Sequence, residues 1–333
     1  MNKAVETGIP AYKKFFSVVS SEVVPVKWLL KGVMEQNSIN SVFGPSGEKK
    51  SFVVIDMALH VLNNKDWHGH KVKQSDITVL YIAGEGAAGI NLRVNAACKH
   101  HNLSSDGFYV SNSSADMFDN TVVDGLVEMV KSINGPVWII LDTLNRNFSG
   151  EENSTKDIAA LLKNIEKLKN ATKYGATFTM VHHTGHTAKD RGRGSSAIYA
   201  AMDGEFRVST DKDSGQTTVT NTKNKNSATN DSVILESVSI DFGFDEDGDS
   251  ITSLAMIGAS KKKSASLEEV TAQIAELLKQ SPLTQNEIDG IISDKMEVST
   301  ITAKNKKKPL IRDILIRDHN MNIVNKQWTI KLS

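Results

Sequence analysis

Apolar and polar positions change period several times along this chain, and each change marks an element. Asp76-Ile-Thr-Val-Leu-Tyr-Ile-Ala83 is an almost continuous apolar run rich in β-branched residues, the pattern of a strand covered on both faces. Pro136-Val-Trp-Ile-Ile-Leu-Asp142 and Thr177-Phe-Thr-Met-Val-His-His183 read the same way, with shorter strands at Ser41-Val-Phe and Gly107–Ser111. Between these runs the spacing predicts helices over Phe52–Val61, Ala88–His100, Thr121–Ile133 and Ser154–Thr172. Strands that alternate with helices and are buried on both sides predict an α/β fold: a mostly parallel sheet with helices on both faces.

From Ala201 onward the pattern is different. Gly204–Ser209, Thr217–Thr222, Ser232–Ile240 and Ser250–Ile257 read as strands joined by polar turns. The last two flank Phe244-Asp-Glu-Asp-Gly-Asp249, whose acidic residues resemble a calcium loop; with Met256 at the twelfth position the bidentate Glu is missing, so the segment reads as a solvated turn. Ser260-Lys-Lys-Lys-Ser-Ala-Ser266 reads as a linker. Beyond it, Val270, Ile274, Leu277 and Leu278 give Leu267–Gln280 helical spacing, and Thr284 three residues before Glu287 forms a capping box for a second helix. Val298–Lys308 is expected as a basic third helix and Ile323–Leu332 as a β-ribbon, together a small winged-helix-like domain. The chain thus divides into a lead-in over 1–36, a core over 37–259, the linker over 260–266 and a terminal domain over 267–333.

Composition narrows the picture. A chain of 333 residues can bury one large core plus a small domain. There is no signal-peptide pattern, and no uninterrupted apolar stretch approaches the ~18 residues of a membrane span. A single cysteine, Cys98, excludes an intrachain disulfide and a Cys-cluster zinc site, and fits a reducing, cytoplasmic setting. Net charge is zero but uneven: residues 261–333 carry 13 Lys and Arg against 9 Asp and Glu, a weak pointer to nucleic acid.

The candidate chemistry falls at strand ends, where open parallel sheets place their ligands. Gly44-Pro45-Ser46-Gly47-Glu48-Lys49-Lys50-Ser51-Phe52 has the layout of a phosphate-binding loop. Backbone N–H groups and a helix N-terminus cradle phosphates, Lys50 reaches the outer ones, and Ser51 holds Mg²⁺. One position departs from G-x-x-x-x-G-K-[ST]: Lys49 stands where glycine is required. It adds charge near the phosphates or points to solvent. The Val24–Gly32 lead-in is expected to pack beside this site. Asp142 ends a buried strand, where a carboxylate can hold the Mg²⁺ shell. Glu85 lies between two glycines and can orient an attacking water. His182-His183-Thr184-Gly185-His186 ends the next strand. With no acidic ligand at zinc spacing, it reads as a sensor of the γ-phosphate rather than a metal site.

The ordered set Trp28-Leu-Leu-Lys-Gly, GPSGEKKSF, YIAGEGAAG, IILDTLNRNFSGEEN, VHHTGH and GRGSSAIYAAMD resembles the RecA-like, AAA-family ATPases of plasmids and phages, among them RepA-type hexameric replicative helicases. The resemblance covers roughly residues 20–258. It implies a RecA-like P-loop core, ATP and Mg²⁺ as ligands, Lys50 and Ser51 as the Walker A pair, Glu85 as catalytic glutamate, Asp142 as the Walker B aspartate, and His183 as the link from γ-phosphate to DNA-facing loops. It also implies a homo-oligomeric ring, a hexamer, with single-stranded DNA in its channel and a cation donated by the neighbouring subunit. Arg193, Arg207 and the pair Lys223 and Lys225 are the candidates for that cation; the pair resembles the Lys-x-Arg motif of DnaB-like helicases. Two loops would face the channel, Thr143–Lys156 and Thr184–Ser195, the second bringing Lys189, Arg191 and Arg193 to DNA phosphates. Lys304, Lys306, Lys307 and Lys308 of the terminal domain would meet duplex DNA, or the domain docks a replication protein. The expected activity is DNA unwinding or translocation in replication of a mobile element. The alternatives are a DNA-bound regulator or helicase loader, and a nucleotide-binding scaffold with little turnover.

Overall fold

The computed structural model describes residues 25–74, 76–84, 87–185, 192–259, 266–296, 303–319, 321–324 and 327–330. The chain forms two compact units, Met1–Ala259 and Ser260–Ser333. The first holds β1 (Trp28–Leu30), β2 (Met34–Glu35), β3 (Ile39–Gly44), α1 (Lys50–Leu62), β4 (Thr78–Ala83), α2 (Ala87–His101), β5 (Phe108–Val110) and α3 (Asn120–Ser132). It continues with β6 (Val137–Asp142), α4 (Thr155–Lys169), β7 (Ala176–His183), α5 (Ser196–Ala201), β8 (Gly204–Thr210), β9 (Thr217–Asn224), β10 (Val233–Phe244) and β11 (Ser250–Gly258).

Nine of these strands form one sheet in the order β11-β10-β9-β8-β3-β7-β6-β4-β5. The pairings from β8 to β5 are parallel, and β9, β10 and β11 extend the sheet antiparallel beyond β8. Side-chain parity explains why the parallel strands are apolar throughout. In β6, Trp138 and Ile140 enter a core with α1 and α2, while Val137, Ile139 and Leu141 enter a second core with α3 and α4. The same alternation puts Tyr81 and Val181 on the α1 face, and Ile82 and Met180 on the other. It therefore assigns Asp142 and His183 to the α1 face and His182 to the α4 face before any contact is measured. Register then levels the strand ends: Gly44 pairs with His183, Asp142 with Val181, and Ala83 with Asp142.

The lead-in does not flank the phosphate loop, contrary to expectation. Over its described residues it forms the β1–β2 hairpin, held by Lys31 N–H to Lys71 O at 2.8 Å and Lys73 N–H to Leu29 O at 3.0 Å. Residues 71–73 follow the C-terminal end of α1, the end away from the loop. Leu29 and Leu30 are fully buried there and complete the core that α1 covers, which fixes the hairpin at that end.

The second unit comprises α6 (Leu267–Gln280), β12 (Leu283–Thr284), α7 (Gln285–Lys295), a π-type turn (Ala303–Lys307), α8 (Lys308–His319), β13 (Met321–Val324) and β14 (Gln327–Ile330). The strands pair in the order β12-β14-β13. Ser266 with Glu269 and Thr284 with Glu287 form complete capping boxes that start α6 and α7. Of the helix expected over 298–308, residues 298–302 lie outside the described residues and 303–307 form the π-type turn, which runs on into a longer helix over Lys308–His319. Pro309 is tolerated in a first helical turn, and Ile311 and Leu315, four apart, give the helix a buried stripe beside Ile274, Ile288 and Trp328. Lys304 and Lys306 are exposed on the turn, and Lys307 is half-buried.

Lys308, expected as a phosphate contact, is instead an internal residue. Its ammonium lies 2.8 Å from Asp289 Oδ1 and donates to Gln285 Oε1 at 3.1 Å, with both ionic side chains largely buried. Removing one partner leaves an uncompensated charge, so Asp289→Ala is expected to destabilise this unit by about 3 kcal/mol. Urea unfolding of the full chain checks it through the transition reported by Trp328 fluorescence. An unchanged midpoint would contradict the reading.

Candidate functional site

The site begins with the turn from β3 into α1. Gly44 ends β3 where β8 passes so closely that an added Cβ would sit 2.2 Å from Val208 O, so only glycine fits. Lys49 immediately precedes α1 with φ 60° and ψ 22°, a left-handed conformation. That is the conformation for which a glycine is selected here, and a lysine adopts it at a cost of ~1–2 kcal/mol. Its side chain runs neither to the phosphates nor free into solvent: Nζ donates to Gly215 O at 3.2 Å and to Ser237 Oγ at 3.0 Å. On the adjacent residue, the Glu48 carboxylate accepts from Thr210 N–H. The antiparallel extension thus grips the loop from the side. Lys49→Gly is expected to stay within ~1 kcal/mol of the parent, since relief of strain offsets two lost hydrogen bonds, whereas Lys49→Val, β-branched and left-handed, loses ~2 kcal/mol. Thermal denaturation of the two variants separates them.

The first turn of α1 has no capping side chain and no acidic residue, so its N–H groups remain available to an anion. Lys50 is 5% exposed. Its ammonium donates to Pro45 O at 2.7 Å and lies 3.4 Å from His183 Nδ1. Burial pushes the Lys50 amine below its usual value, and the charges of Asp142 and Glu48 oppose that shift. Asp142, at the tip of β6, accepts from the Tyr81 hydroxyl, which is also hydrogen-bonded by Ser51. Burial first, then the Asp142 charge, raises the Tyr81 phenol well above its usual value and keeps it a donor. One hydroxyl therefore joins the serine and the carboxylate that a divalent cation would share. Ser46, Gly47, Lys50, Ser51, Asp142 and His183 line a cleft of about 320 Å³. This donor set fits a magnesium nucleotide: oxygen ligands for the cation, and N–H groups and an ammonium for phosphates.

The two histidines at the end of β7 part ways as parity requires. His183 faces Lys50; burial and then the Lys50 charge lower its pKa and keep it neutral. His182 is buried on the opposite face, its Nε2–H donating to Arg193 O. They do not converge as metal ligands, and His186 lies outside the described residues. Burial also lowers the His182 pKa, so the unfolded chain binds protons more readily than the folded one. Stability from this group is present above pH ~6.5 and is lost as pH falls through the lowered folded value. His182→Asn is expected to flatten the decline of melting temperature between pH 7 and pH 5; an identical slope would contradict it.

The other candidates are scattered. Arg193 N–H donates to His183 O at 2.8 Å, while its guanidinium forms a two-pronged pair with Glu152 at 2.6 and 2.9 Å. Arg207 sits on β8 opposite Phe43, at the loop end of the sheet. Lys223 and Lys225 lie at the other end: Asn224 pairs with Gly204, which pairs with Asn40 near the start of β3. Lys223 Nζ donates to Tyr199 O at 2.6 Å, and Lys225 Nζ pairs with Asp203 at 3.2 Å. Glu85, Lys189 and Arg191 lie outside the described residues.

Two residues of the cleft were not singled out in the sequence. Tyr81 is the β4 side chain that meets Asp142; its parity with Ala83 was the available signal. Arg93, two turns into α2, lines the cleft with its guanidinium 4.8 Å from the centre of the Phe52 ring. Nothing local marks it, since only the packing of α2 on α1 brings it there.

Comparison with protein families matches residues 13–189 to the family described as an AAA domain. Among solved structures, one described as an ATPase domain aligns with 11% identity and a TM-score of 0.44, covering 65% of this chain and 84% of that one. No curated protein matches. Among the described residues no helix is long and apolar enough to cross a membrane.

Proposed function

The chain belongs to the AAA-domain family, with a RecA-like P-loop core, and on that premise we propose that it is a Mg²⁺-dependent ATPase that moves DNA as a ring of identical subunits. The observation that carries this reading is the convergence of Lys50, Ser51, Asp142 and His183 on one cleft, supplied by three adjacent strand ends in register. Mg²⁺, when bound, neutralises charge on the outer phosphates. The N–H groups of the α1 first turn and Lys50 bind and orient the triphosphate. Ser51 and Asp142 hold the cation, and Tyr81 orients the Asp142 carboxylate. Glu85, two residues beyond β4 in the chain, takes the proton of the attacking water. His183 responds to the γ-phosphate through Lys50 and shares its backbone with the loop over 184–195, whose cations grip single-stranded DNA in the channel.

Lys223 and Lys225 stand at the sheet end opposite the loop, so any phosphate they meet belongs to another copy. This supports them as the cations delivered between subunits. The left-handed Lys49 keeps the backbone course that a glycine gives, which supports turnover over a nucleotide-binding scaffold. The experiment is ATP hydrolysis with and without single-stranded DNA, alongside a strand-displacement assay and native mass spectrometry with ATP and Mg²⁺. DNA-stimulated hydrolysis, unwinding and a closed oligomer are expected. Hydrolysis without strand displacement would replace the helicase by a regulator or loader; binding without turnover would leave a scaffold.

A further inference from the structure

Away from the phosphate loop, three histidines gather around one carboxylate of α1. Asp56 and His60, four apart on α1, face His68 in the turn that follows and His101 at the end of α2. Asp56 is 1% exposed and carries three histidines on one carboxylate: His68 Nε2 lies 2.8 Å from Oδ2, His101 Nε2 3.1 Å from Oδ1, and His60 Nδ1 3.4 Å from Oδ1. Trp67 Nε1–H donates to Oδ2 at 2.8 Å. Oδ1, fully enclosed, accepts no hydrogen bond of good geometry.

We propose that Asp56, His60 and His101, with His68 holding the second oxygen of Asp56, form a site for a zinc-type divalent cation, separate from the nucleotide cleft. Two arguments carry it. The first is distance. Ligand atoms of Asp56, His60 and His101 lie within 4.8 Å of one another. A tetrahedral ion with ligands at about 2.0–2.1 Å sets neighbouring ligand atoms roughly 3.3 Å apart and its imidazole centres about 5 Å apart. The ring centres here are 4.8 Å apart for His60 and His101, 5.5 Å for His60 and His68, and 6.3 Å for His68 and His101.

The second is chemistry. One carboxylate and two imidazoles are the borderline donors that zinc prefers, and three protein ligands leave the fourth position to water. His60 Nδ1 lies 2.8 Å from Asp56 O of its own helix and 3.4 Å from Oδ1, which fixes the ring at the cluster. His101 Nε2 points to Asp56 Oδ1 and to Met256 O at 2.7 Å; the ion takes the place of its proton, which goes to solvent. The ion would fasten α1, which leads from the phosphate loop, to α2, which begins at Ala87.

The full chain, freed of metal with a chelator, is titrated with ZnCl₂ alone, without nucleotide, against a chromogenic competitor. One equivalent is expected to bind, with a rise in melting temperature. Co²⁺ in its place is expected to show the intense visible absorption of a tetrahedral site. His68→Gln and His101→Gln, both at partly exposed positions and checked for folding by circular dichroism, are each expected to weaken zinc at least ~10-fold. Lys50→Ala, in the other site, leaves it unchanged. No bound equivalent, an octahedral cobalt spectrum, or an equivalent that survives the double variant would overturn the assignment.

Discussion

Lys50→Ala is expected to reduce ATP hydrolysis at least ~100-fold while leaving the chain folded. The side chain is 5% exposed at the head of α1, and its ammonium rests against Pro45 O beside His183. That is the position from which a fixed cation meets the outer phosphates as charge redistributes in the transition state. The same burial lowers its pKa, so the charged amine is held there at a cost to stability. Loss of the amine should therefore leave the melting temperature equal or higher while turnover collapses. Hydrolysis within a few fold of the parent would remove Lys50 from the machinery; a large fall in melting temperature would make its role structural.

The second large effect concerns Asp142. Asp142→Asn keeps size and an acceptor oxygen for the Tyr81 hydroxyl, but removes the charge that Mg²⁺ requires. Hydrolysis is expected to fall ~10²–10³-fold, with a raised Mg²⁺ requirement. Tyr81→Phe leaves the carboxylate charged but unoriented, because the hydroxyl that joins Ser51 to Asp142 is gone. Its effect should be smaller, roughly tenfold, and should appear first in the Mg²⁺ concentration needed for half-maximal rate. Measuring rate against Mg²⁺ for both variants decides the matter. If Asp142→Asn and the parent share one Mg²⁺ dependence, the carboxylate does not hold the cation.

Much of the site was legible in the chain because its parts are local. A glycine turn followed by Lys50-Ser51 at the head of a helix needs only neighbouring residues to be recognised, and so does a carboxylate ending an apolar strand. Parity extends this further. The alternation Trp138, Ile140, Asp142 and Val181, His183 places the carboxylate and the second histidine on the face of α1 once that face is known. The place of the lead-in and the helix over Lys308–His319 were missed for a different reason. Their positions follow from which apolar residues find a core, Leu29 and Leu30 in one case and Ile311 and Leu315 in the other, and spacing along the chain does not reveal the partner.

Lys49 shows the division most clearly. The sequence determined that a glycine is missing from the loop, the alternation of strands and helices, the capping box at Thr284, and the residues that end each buried strand. These depend on periodicity and on short-range hydrogen bonding, which the order of residues encodes directly. Tertiary structure decided that Lys49 takes the left-handed turn and is tied to Gly215 and Ser237, that Lys308 belongs to Asp289, that Arg93 reaches the cleft, and that Asp56 gathers three histidines from two helices and a turn. Each of those contacts joins residues that only packing brings together. Whether a lysine is a ligand, a tether or half of an ion pair is set by the partner it meets.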